Sequence, residues 1–159
     1  MKRLGPFLLM LVGGACVPAS QDDDPEARRF FTQHISRHQT SIRQYSVERQ
    51  LDIYEYGLRH LHPPPTYLST GIATSGASVV PPVVRRLRRK PDDMIVWSYL
   101  LVLADLGCDQ GQRPLEDSVT AAVVRAAVAR IKSPVERAGA ERSVRRMRGD
   151  CAPSRTFSR

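Results

Sequence analysis

The side chains able to do chemistry in this chain of 159 residues are its histidines, arginines and cysteines. His34 and His38 stand four residues apart, one turn if the segment is helical, a spacing that can bring two imidazoles to one metal. The metalloprotease arrangement places Glu directly after the first His, and here Ile35 follows. His60 and His62 flank Leu61 just before three prolines and add a third ligand only if the fold carries them in. Two histidines on one helix without a completed ligand set usually serve its surface. A metal-dependent enzyme built on His34 and His38 is therefore the most remote expectation, and no metal or other cofactor is expected.

Arg85, Arg86, Arg88, Arg89 and Lys90 form the densest run of charge. At the end of a helix such cations face the negative pole of its dipole, so the plain reading is a solvated helix face. The functional reading is a patch for anionic head groups, cell-wall polymers or an acidic partner. Arg142, Arg145, Arg146 and Arg148 would extend it if the last helix lies alongside. Ser69, Thr70, Thr74 and Ser75 lie close to Gly71 and Gly76, but no G-x-S-x-G elbow occurs, nor a phosphate loop or a paired-carboxylate arrangement. The expected protein is not an enzyme.

The three cysteines divide by position. Cys16 ends an N-terminal stretch with a cationic start at Lys2 and Arg3 and an apolar run from Phe7 to Val12, the order of a secretory signal peptide. The run is too short for a bilayer, which needs about 20 apolar residues. Gly13-Gly14-Ala15-Cys16 resembles the lipobox of bacterial lipoproteins, which implies a lipid on Cys16; the family more often has Leu at the place of Gly13. Ordinary cleavage after Val17-Pro18-Ala19 is the alternative, so residues 1–19 are the expected leader. Either way the protein is expected to be exported to the cell envelope or periplasm, with membrane attachment through Cys16 in the lipoprotein case. Cys108 and Cys151 remain, and an oxidising compartment favours a disulfide between them over two unrelated thiols.

The formal charge of +8 drops to about +6 without Lys2 and Arg3, and almost all of the excess is arginine. A basic chain suggests nucleic acid, but an exported one does not meet it, so no nucleic-acid partner is expected.

Positioning these residues falls to helices. Residues 20–25 read as a polar tether, 26–151 as one α-helical domain and 152–159 as a disordered tail. Pro25 to His38 reads as a short helix. From Ile42 to Leu61 a stripe of Ile42, Tyr45, Leu51, Tyr54, Leu58 and Leu61 repeats at helical steps. Tyr67 to Ser75 reads as another short helix, and Ser78 as the cap of one with Pro81 and Pro82 in its first turn. Met94 to Leu106 is apolar almost all round, so it is the expected core helix, stopped by Gly107. Val119, Ala122, Val123, Ala126, Ala127 and Ile131 form the next stripe. Ser133-Pro134-Val135-Glu136 reads as a capping box for a basic last helix.

Residues 78–107 resemble one HEAT repeat on Val80-Pro81 and Leu87 in a first helix and Asp92, Ile95, Leu103 and Leu106-Gly107 in a second. Val96 and Tyr99 depart from that family's usual Arg and Ala. The resemblance implies an all-α antiparallel helical stack, a short HEAT-like solenoid of about five to six helices, and no site residues. Such stacks mostly serve as binding surfaces. The expected function is thus a non-enzymatic, envelope-associated binding or scaffold protein with a protein partner, the alternative being an anionic-surface binder through the arginine faces.

Overall fold

The computed structural model describes residues 24–151; the leader with Cys16, most of the tether and the tail at 152–159 lie outside the described residues. The chain is all-helical, with α1 Pro25–Phe31, α2 Ile35–Ser41, α3 Val47–His60, α4 Leu68–Ala73, α5 Val80–Arg88, α6 Asp93–Gln110, α7 Ser118–Arg130 and α8 Pro134–Met147. That is more helices than the five to six expected. One reason is that Pro25 to His38 divides. Thr32 donates its hydroxyl to the Arg29 carbonyl at 2.8 Å. His34 accepts from the Ser36 backbone N–H as the N-cap of α2. Short polar side chains that satisfy the backbone locally end one helix and start the next.

The helices alternate between two layers. α6 packs most extensively on α8 and α4, while α5 packs on α7, α1 on α3 and α2 on α4. α6 and α8 run parallel. Asp93 at the start of α6 accepts from the Lys132 and Ser133 backbone N–H groups at the start of α8, both at 2.8 Å. Cys108 near the end of α6 is bonded to Cys151 just past the end of α8. In the other layer α1 and α3 join at Asp24 and Arg49, with oxygen–nitrogen distances of 2.6 Å.

The core sits around α6. Ile95, Val96, Tyr99, Leu100, Val102, Leu103, Ala104 and Leu106 are buried along it, as the all-round apolar sequence requires. The helix does not stop at Gly107. It runs to Gln110 and ends at Gly111, whose φ of 63° is the left-handed turn a C-terminal cap favours. Close approach of α8 is achieved at Gly139, where a Cβ would lie 2.6 Å from the Trp97 indole nitrogen.

Several caps differ from expectation. Ser78 donates to the Ser75 carbonyl at 2.7 Å and caps nothing; Gly76–Val79 forms a 3-10 turn leading into α5. Ser133 makes no side-chain cap, and Glu136 leaves one buried oxygen unpartnered, so the capping box does not form. Asp93 has taken its job. On α7 the buried face is Thr120, Val124 and Ala127, with Ile131 just past the end, while Val119 is 52% exposed. The expected stripe lay partly on the wrong side because alanine and valine fill both faces of this helix.

Asp24, read as tether, belongs to the fold. Its carboxylate is held below the usual aspartate range first by the Arg49 hydrogen bond, against a desolvation that raises it. The unfolded chain therefore takes up this proton at a higher pH than the folded one. The stability contributed is complete above the ordinary range near about pH 4 and is lost as pH falls below it. Urea melts between pH 3 and 6 should show the midpoint falling at the acid end. Arg49→Met should flatten that slope; an unchanged slope would discount the pair.

Candidate functional site

The arginine run is split by its surroundings. Arg86, with its side chain 12% exposed, donates to Asp52 at 2.7 Å, Glu48 at 3.1 Å and Glu55 at 3.2 Å, and Tyr99 donates to Glu55 at 2.7 Å. Arg85 pairs with Glu48. These two arginines bind α5 to the acidic edge of α3. Of the run, Arg88, Arg89 and Lys90 are the ones that stay exposed with no ion pair among the described residues. The acids responsible, Glu48, Asp52 and Glu55, recur at helical steps, a signal present in the sequence that the arginine run overshadowed.

The histidines do not assemble. His38 is buried, with Nδ1 2.6 Å from the Tyr67 hydroxyl and Nε2 3.0 Å from the Gln33 carbonyl. Both of its ring nitrogens are engaged, while His34 Nδ1 is turned to Ser36, accepting from its backbone N–H as a cap. His60 lies against the Tyr56 ring instead, at 4.4 Å. Among the described residues no group of three or more His, Cys, Asp or Glu gathers where a metal could sit.

The cysteines do. Cys108 and Cys151 are bonded, with Cα atoms 5.5 Å apart. Beside this bridge the end of α6, α7 and α8 enclose an open groove of about 1000 Å³. Leu115, Val124, Val128, Val144 and Met147 give it an apolar lining. Arg125 lines it from α7, Arg145 from α8 and Arg148 just past the end of α8. Arg113, also lining it, pairs with Glu116 at 3.2 Å. Gly107 and Gly149 close the end nearest the disulfide.

Arg146, which also lines the groove, reaches a buried polar cluster. Asp105 on α6 is 5% exposed and accepts from the Ser69 hydroxyl at 2.6 Å, the Thr70 hydroxyl at 3.3 Å and Arg146 at 2.8 Å. Arg146 thus spans from the groove wall to the interior, uniting α4, α6 and α8. The sequence does not announce this groove. Its walls come from two helices that read separately as small-residue and basic, and only their placement side by side creates an apolar trough with charged margins.

Comparison with protein-family models, with curated proteins and with solved structures found no match. No helix among the described residues is long and apolar enough to cross a membrane.

Proposed function

We propose that the protein is a non-enzymatic binding module of the cell envelope, exported by its N-terminal leader, held through Cys16, and engaging its ligand in the groove between α7 and α8. The observation that carries this reading is the groove itself, which joins an apolar lining to arginines that no carboxylate neutralises. Such a concave site with a few convergent polar groups is the usual form of a ligand site. The cluster nearest to a reactive constellation, Ser69 with Asp105, is shut away at 2% and 5% exposure and satisfied internally. The two-layer stack agrees with a HEAT-like scaffold, a fold class that offers its faces to partners. The groove is preferred over the α5 patch because Arg85 and Arg86 are already spent on α3.

Photo-crosslinking in intact envelopes tests this. A photoreactive residue at Ala129 or Glu141, both exposed on the groove wall, should give a discrete adduct that one at Arg37 on α2 does not. No adduct at the groove positions, or the same adducts at all three, would overturn the reading.

A further inference from the structure

The charges around the groove are unbalanced in a way that specifies its occupant. Arg146 is paired with Asp105 and Arg113 with Glu116. Arg125, Arg145 and Arg148 are left with no ion pair, against Glu141 as the remaining acid of the lining. A guanidinium presents a planar fork that matches phosphate or carboxylate oxygens. Lining the same groove are Leu115, Val128 and Val144, only partly buried, with Val124 and Met147 beneath at 1% and 4% exposure. The occupant must therefore present an apolar part and an anionic part together. It must also be small. A stable protein partner covers roughly 800 Å² on each side, far more than this trough exposes, whereas its volume of about 1000 Å³ sits at the top of the range for single bound molecules.

We infer that the groove binds a single-chain anionic amphiphile, the chain lying on the valine and leucine lining and the phosphate or carboxylate head meeting Arg125, Arg145 and Arg148. This rests on the reading of the groove as the binding surface. Head and chain contribute separately: the arginines select the sign of the head, and each methylene buried on the floor adds to affinity. The arginines at the end of α5 take no part.

The test uses the disulfide-bonded mature protein and calorimetric titration below the micelle concentration. Dodecyl phosphate should bind at least tenfold more tightly than dodecyltrimethylammonium, and decyl phosphate several-fold more weakly than dodecyl. The triple variant R125A/R145A/R148A should lose tenfold or more for dodecyl phosphate. Ala129→Trp, which fills the trough and leaves every charge in place, should lose it as well. R88A/R89A should bind as the parent does. Equal affinity for the cationic amphiphile, or undiminished binding by the triple variant, would overturn the inference. So would binding to phosphatidylglycerol vesicles without binding of the monomeric amphiphile, since that places the recognition at a membrane surface. A discrete protein adduct at Ala129 with no amphiphile binding would sink this inference alone and leave the binding-module reading standing. Loss of both adduct and binding would remove the two together.

Discussion

Reducing the Cys108–Cys151 bridge should cost about 4 kcal/mol of stability. The bond closes a loop with a sequence separation of 43, and the chain-entropy model assigns roughly that value to a loop of such length. The cost should appear in one place first. α8 is fixed to α6 at its start by the Asp93 carboxylate, along its length by the Trp97–Gly139 contact, near its end by the Arg146–Asp105 pair, and beyond its end by the disulfide. Opening the bridge releases the last segment, Arg148 to Cys151, of which Arg148 and Gly149 line one end of the groove. For a domain of this size the thermal midpoint should fall by roughly 15 °C, and dodecyl phosphate binding should weaken in the same sample before global unfolding. Circular dichroism melts with and without reductant, repeated on the C108S/C151S variant, measure the first effect. Coincident midpoints in the two states would show that the noncovalent contacts hold α8 without the bridge.

How much of this was legible in the sequence depends on the range of the interaction. The helical class and the core helix came from apolar periodicity, which is local: Ile95 to Leu106 cannot be solvated on any side. The disulfide followed from the cysteine count and an expected oxidising compartment. Helix ends were read less well, because a cap is a choice between competing partners. Ser133 with Glu136 has the right residues for a capping box, yet Asp93, forty residues away in sequence, satisfies that backbone first. The same limit hid the pairing of Arg86 with α3, and so made five cations look like one patch. The groove was beyond reach because it belongs to no segment. Val128 and Val144 are ordinary half-buried residues until α7 and α8 are set side by side.

The Asp105–Arg146 pair ties α8 to α6 and α4, and Arg146→Met should cost about 3 kcal/mol. The energy does not come from the attraction alone. A buried ion pair barely outweighs the desolvation of its members, but deleting one member strands the other, at typically 3–5 kcal/mol. Here the stranded group is a carboxylate 5% exposed, left with the Ser69 and Thr70 hydroxyls. The lower end of the range applies because the Arg146 side chain is itself 25% exposed, so water can reach its place. The double variant D105L/R146M removes the stranded charge and should recover about half of the loss, the remainder reflecting the buried Ser69 hydroxyl without its acceptor. Urea denaturation of the two singles and the double closes the cycle. A cost below about 1 kcal/mol for Arg146→Met, or a double variant as unstable as the sum of its singles, would mean that Asp105 is not held as a charge by this arginine. The wall of the groove would then owe its position to the disulfide, the Asp93 hydrogen bonds and the Trp97–Gly139 contact.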